Sequence, residues 1–231
     1  MKRFYRAAAV EPEGTLFRIT LDGRPARTPA RKSLALPVRA AAEAVAAEWQ
    51  AQGEEFEPAA LRLTRFANTA IDRVSANRSP VVTEVTRFAV TDLVCYRARE
   101  PAELVRRQEE AWQPLVEWVA DRYGARLAVT AGVVPASQPK ETLDALIRAV
   151  EEFDDFALTA LHAATAAAGS LAIGLALAEG EIDAEAAFAA ACLDEHFQAE
   201  KWGLDAEAEQ RREALRADIA AASRFLALLR S

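Results

Sequence analysis

The period of the apolar residues changes at Pro37, and that change sets the fold class of this 231-residue chain. Before it, Leu16-Phe17-Arg18-Ile19-Thr20-Leu21 alternates apolar and polar positions, and Asp22-Gly23 supplies a hairpin turn. Arg24-Pro25-Ala26-Arg27-Thr28-Pro29 is held extended by its prolines, and Ser33-Leu34-Ala35-Leu36-Pro37 makes a further short strand. A small antiparallel sheet is expected. After Pro37 the period is helical: Val38, Ala42, Val45, Trp49 and Gln52 recur at steps of four and three and form one stripe.

The remainder reads as nearly all helix. Leu63, Phe66, Ala67, Ala70, Ile71 and Val74 form a second stripe, with Arg65, Asn68, Thr69 and Asp72 opposite. Asn77-Arg78-Ser79-Pro80 is a break, with Ser79 as N-cap and Pro80 in the first turn of the next helix. Pro101 opens a helix expected to reach Gly124 with a kink at Pro114. Leu127 to Gly132 is strand-like, and Pro135 to Pro139 reads as a linker. Helices are expected over 140–152, 155–178, 184–202 and 206–230, with Asp183 and Asp205 as N-caps and Gly180 and Gly203 as stops. The fold class is α+β and predominantly helical. Residues 1–78 form a small α+β domain, whose sheet strand 126–132 could join, and 79–231 form a larger all-α domain.

The formal charge of −7 argues against generic nucleic-acid binding, which requires a basic face to neutralise phosphates. The charge is unevenly spread, with 13 Lys/Arg against 9 Asp/Glu up to residue 78 and 15 against 26 beyond it. Two faces with different partners, or two solvated surfaces, both fit that asymmetry. Cys95 and Cys192 stand alone on apolar stripes and read as small core residues of a reducing compartment.

Phe156 to Ala178 carries no formal charge over 23 residues, which is long enough to span a bilayer. It is mostly alanine, holds Thr159, His162, Thr165, Gly169, Ser170 and Gly174, and lacks a flanking Lys/Arg asymmetry or aromatic belt. A central helix buried by its neighbours is expected, with no membrane insertion. Met1-Lys2-Arg3-Phe4-Tyr5 shows neither the apolar run of a secretory signal nor an Arg/Ser-rich, acid-poor presequence, so the bacterial cytoplasm is the expected location.

The catalytic inventory is thin. There is no Gly-x-x-x-x-Gly-Lys or Gly-x-Gly-x-x-Gly run, and the two histidines, His162 and His196, carry no local catalytic signature. His162 reads as a hydrogen-bonded core residue. No catalytic residue, cofactor or metal is assigned.

The segment Cys192 to Gly203 is the most informative. On one continuous helix, Phe188, Cys192, Glu195, Ala199 and Trp202 share an arc, with Leu193, Phe197 and Glu200 beside it. Asp194, Gln198 and Lys201 occupy the other side. Glu195 and Glu200 therefore fall on the face expected to be buried, where a carboxylate is costly unless paired. Three explanations stand: metal ligation with His196, an internal pair with an arginine, or a groove that receives a basic or polar group from a partner. Asp92, among Val81, Val85, Phe88 and Cys95, and Gln108, among Leu104, Ala111 and Leu115, repeat the anomaly.

Several runs occur in order along nearly the whole chain. They are Lys2-Arg3-Phe4-Tyr5, Leu21-Asp22-Gly23-Arg24-Pro25, Arg27-Thr28-Pro29 and Glu48-Trp49-x-Ala51-Gln52. Leu63-Thr64-Arg65-x-Ala67-Asn68-Thr69-Ala70-Ile71-Asp72 and Thr91-Asp92-Leu93-x-Cys95-Tyr96-Arg97-Ala98 follow. The last are Arg107-Gln108, Trp112-x-Pro114-Leu115, Gly169-Ser170-Leu171 and Asp194-Glu195-x-x-Gln198-x-Glu200-x-Trp202-Gly203. In these the chain resembles the α-subunit assembly chaperone family of the F-type ATP synthase.

The resemblance implies a non-enzymatic chaperone that binds the free α subunit and shields its subunit interface until the β subunit displaces it. It implies a monomer without cofactor. Glu195, Glu200, Gln198, Asp194 and Asp92 become the candidate partner contacts, and Trp49, Trp202 and Gly203 become structural. Gln113 stands where the family often has an acidic residue, and Phe197 where Tyr or Trp is frequent. A metal-dependent helical enzyme and a general holdase are the alternatives.

Overall fold

A computed structural model describes residues 2–132, 136–203 and 206–231, and the chain divides into two compact units. Pro135 and Asp205, read above as linker and N-cap, lie outside the described residues. The first unit holds the residues up to Arg78, with 154–160 and 224–231. The second holds 79–153 and 161–223. No local feature of the sequence announces the two segments that lie with the first unit.

In the first unit β1 (Ala8–Glu13) pairs antiparallel with β2 (Leu16–Leu21), with Glu11 opposite Arg18 and an ion pair of 2.8 Å between them. Asp22 and Gly23 both have positive φ, as a two-residue hairpin turn requires, and β2 turns there into β3 (Arg24–Pro25). The Asp22 carboxylate accepts from the Arg6 and Ala7 amides, and these bonds lower its pKa. The strand β4 (Ala35–Leu36) joins β2 through Phe17↔Leu36 and Arg18↔Ala35. Of these strands β1 was not foreseen, because Pro12 and a run of alanine hide its alternation. Proline is tolerated there because β1 is an edge strand.

Helix α1 (Arg39–Gln50) buries Ala41, Ala42, Val45 and Ala46 against this sheet. Trp49 packs between the Tyr5 and Phe56 rings at centroid distances of 5.6 and 5.4 Å, and the Tyr5 hydroxyl donates to the Trp49 carbonyl. Glu48 satisfies the start of α2 (Arg62–Thr69) by accepting from the Leu63 and Thr64 amides at 2.7 and 2.8 Å. Asp72 accepts from Thr28 and from the Ala30 amide. The Thr-Arg-x-Ala-Asn and Arg-Thr-Pro runs are thus held together by hydrogen bonds.

The second unit is built on α3 (Arg78–Thr86, whose first residue belongs to the other unit), α4 (Ala102–Tyr123) and α5 (Lys140–Glu151). Three further helices complete it: α7 (Leu171–Glu179), α8 (Ala184–Ala191) and α9 (Leu193–Trp202). α6 (Asp155–Ala168) and α10 (Ala206–Leu229) contribute residues to both units. Trp112 of α4 is fully buried, and its indole N–H donates to the Ala190 carbonyl at 2.9 Å. α4 continues as helix through Pro114.

Four expectations need correction. The strand expected within 126–132 does not join the N-terminal sheet. Thr130–Ala131 (β6) instead pairs in parallel with Tyr96–Arg97 (β5). Those two residues offer a free backbone edge within the same unit, and the Gly132 amide extends the ladder by donating to the Arg97 carbonyl. Ser79 lies inside the first turn of α3, which begins at Arg78. The single helix expected over 155–178 is broken at Gly169, where φ is +65°, and Ser170 caps α7 by accepting from the Ile173 amide. The run 184–202 is broken at Cys192, with φ −103° and ψ 17°. Among the described residues no helix is long and apolar enough to cross a membrane.

α7 is buried from Leu171 to Ala178. Gly174 permits its close packing, since a β-carbon there would collide with the Thr165 hydroxyl.

Candidate functional site

α9 packs against α4 along one face and leaves the other to solvent. The face turned to α4 carries Leu193, Asp194, Phe197 and Glu200. Leu193 and Phe197 are buried. The Gln108 side-chain amide donates to Asp194 at 2.7 Å, while its oxygen accepts from the Ala98 amide at 2.7 Å. Arg107 Nη1 reaches both oxygens of Glu200 at 2.8 and 2.9 Å, and its Nε reaches Glu103 at 2.8 Å. The Arg107 guanidinium lowers the Glu200 pKa and also lies over the Phe197 ring. Gln108 therefore answers to Asp194, and Glu200 takes the internal arginine pair.

The opposite face is where the expectation fails. Glu195 and Gln198 are exposed, and Trp202 is 78% exposed rather than buried. The arc drawn from Phe188 took Phe188 and Cys192 as the buried stripe, whereas the buried Ala187, Ala190, Leu193 and Phe197 share the opposite side of the helical wheel. Glu195, Gln198 and Trp202 form one wall of a groove of about 550 Å³, and Ala208, Arg211, Arg212 and Leu215 of α10 form the other. Arg211 is paired with Glu207 at 3.0 Å. Among the described residues Glu195 has no ion pair, and Arg212 Nε is buried with no hydrogen-bond partner. His196 is half-buried at the edge of the Phe188 ring, and burial and then Arg212 lower its pKa.

Asp92 is not at a surface. It is 0% exposed, and its oxygens accept from the Val94 amide at 3.2 Å and the Ala172 amide at 3.0 Å. Burial raises its pKa to about 6 against the opposing hydrogen bonds, that of Ser170 foremost. It ties the 92–95 turn to the start of α7, and no partner can reach it in this conformation. Burial also pushes the Cys95 and Cys192 thiols up to about 12 and about 11, so neither is a ready nucleophile. His162 is half-exposed rather than core, with Nε2 3.6 Å from Glu84. Among the described residues no three His, Cys, Asp or Glu side chains gather at metal-binding range.

Arg107, Arg211 and Arg212 had no role assigned from the sequence. An Arg-Arg pair within the acidic part of the chain was the available signal for the last two.

Residues 2–120 match the family model described as ATP12 chaperone protein. The chain belongs to the ATP12 chaperone family. This is the family of ATP synthase assembly chaperones to which the ordered runs pointed. The crystal structure of Atp12 from Paracoccus denitrificans superposes with a TM-score of 0.94 at 42% identity, covering 99% of this chain and 98% of that one. An Asp→Lys mutant of the same Paracoccus protein gives 0.94 at 41%, covering 99% and 97%. Protein atp12, mitochondrial, of Schizosaccharomyces pombe is 24% identical over 214 residues, which is 87% of this chain and 74% of that protein. α9 and the groove lie beyond the residues matched by the ATP12 family model and within the whole-chain similarity to the Paracoccus structures.

Proposed function

We propose that this ATP12-family chaperone binds the free α subunit of the F-type ATP synthase, shields its subunit interface, and releases it to the β subunit without a catalytic step. An orphan subunit of a ring exposes a large apolar interface that aggregates unless covered. The outward face of α9 carries the proposal: Glu195 and Gln198 stand exposed beside an exposed indole, while Asp194 and Glu200 of the same helix are engaged with α4. Glu195 and Gln198 are the contact residues, and Asp194 and Glu200 set the orientation of α9. Displacement by β would make turnover a competition between interfaces, which needs neither a nucleophile nor a cofactor.

The test is co-purification with isolated α subunit, followed by addition of β. Retention of α, then its release as α–β complex, is expected. No retention of α would contradict the proposal. Equal protection of unrelated aggregating clients would instead favour a general holdase.

A further inference from the structure

We propose that the groove between α9 and the first half of α10 is a two-signed clamp, in which Arg212 takes a carboxylate of the client and Trp202 covers the apolar residue next to it. The inference rests on α-subunit binding as proposed above, and it adds the chemistry of what is bound.

Three observations in the groove converge. Arg212 is half-buried, and its Nε is shut off from solvent with no acceptor among the described residues. Desolvating part of a guanidinium without an acceptor costs free energy in the unbound protein, and a carboxylate entering the groove that Arg212 lines offsets that cost through charge rather than at the closed Nε. On α10 Arg211 and Arg216 hold carboxylates, whereas Arg212 has no ion pair among the described residues. Trp202 places an indole on the same groove at 78% exposure, a large apolar area in contact with water. Glu195 stands on the α9 wall with no ion pair among the described residues and selects a basic group.

Charge complementarity fixes the occupant. It is a segment of the α subunit in which an apolar side chain lies between an acidic and a basic residue. A wholly acidic segment would meet Glu195, and a wholly basic one would meet Arg212, each with like charge in a confined space. The volume of about 550 Å³ suits one such side-chain cluster rather than a whole helix.

Indole quenching by acrylamide tests this with the wild-type protein and isolated α subunit. Trp202 dominates the exposed tryptophan surface, and a Trp202→Phe variant identifies its share of the signal. Saturating α should remove that share. Trp202→Ser and Arg212→Glu should each weaken α binding about tenfold or more, the range of a hot-spot truncation, and Arg212→Lys should weaken it less than Arg212→Glu. Should Arg212→Glu fail to fold, the quenching result and Trp202→Ser decide alone, since an exposed indole contributes little to the fold. Unchanged quenching with wild-type affinity of Trp202→Ser would overturn the clamp while leaving α binding intact. Absence of α binding by the wild type would overturn both.

Discussion

Arg107 on α4 holds both oxygens of Glu200 on α9, at 2.8 and 2.9 Å, across 93 residues of sequence. Six residues earlier on α9, nearly two helix turns, Asp194 accepts from Gln108. These bonds join two distant motifs and orient α9, so that its other face is turned to the groove.

The first prediction concerns that pair. Both groups are solvent-accessible, so Arg107→Ala should lower the melting temperature only modestly at neutral pH. The Glu200 pKa is depressed in the folded state, so the pair stabilises above the ordinary carboxylate pKa and is lost as pH falls through the folded value. The melting difference between wild type and variant should therefore shrink in acid and at high salt. An undiminished difference in acid would mean that Arg107 acts through its stacking on Phe197 rather than through charge.

Asp92 has the opposite sign. Its folded pKa, about 6, is raised above the ordinary 3.8. Its favourable contribution is complete below the unfolded value and is lost as pH rises toward 6. Asp92→Asn replaces an acceptor by an NH₂ group facing backbone N–H donors, and should cost about 1–3 kcal/mol. The gap between wild type and Asp92→Asn should be largest near pH 4 and fall by on the order of 3 kcal/mol toward pH 7, since each pKa unit carries 1.36 kcal/mol. Chemical denaturation across that range measures it. A gap that widens with pH would show that the ionised form is the stabilised one.

Gly174 tests packing on α7. Gly174→Ala should destabilise by about 1–3 kcal/mol through overlap with the Thr165 hydroxyl, despite the better helix propensity of alanine. Thr165→Ala in the same chain should recover part of the loss. Stabilisation by Gly174→Ala alone would mean that the two helices separate freely.

Much of the fold was legible. The period change at Pro37, the Asp22-Gly23 turn and the stripe from Val38 to Gln52 gave the α+β class and the sheet-on-helix start of the chain. What escaped was non-local. Nothing in Ala8 to Glu13 distinguishes an edge strand from a loop, and nothing in 154–160 or 224–231 announces packing in the first unit. The candidate site was half legible. Residues of α9 were singled out as anomalous, but their phase was taken from Phe188 and Cys192, whereas Ala187, Ala190, Leu193 and Phe197 carry the buried stripe. Asp194 lies on that stripe and turns toward Gln108, and Trp202, on the other side, emerges. Asp92 was likewise visible as a polar residue on an apolar face, yet only the start of α7, 80 residues away, explains it.

The affinity of isolated α subunit for wild type and for Glu195→Lys, with melting curves recorded on the same samples, tests the central claim most directly. Glu195 is exposed and without an ion pair among the described residues, so the substitution should leave the melting temperature within a few degrees of wild type, as surface changes generally do. Binding should weaken about tenfold or more, because a cation now meets the basic group that Glu195 selects. Wild-type affinity in a folded Glu195→Lys protein would contradict the account.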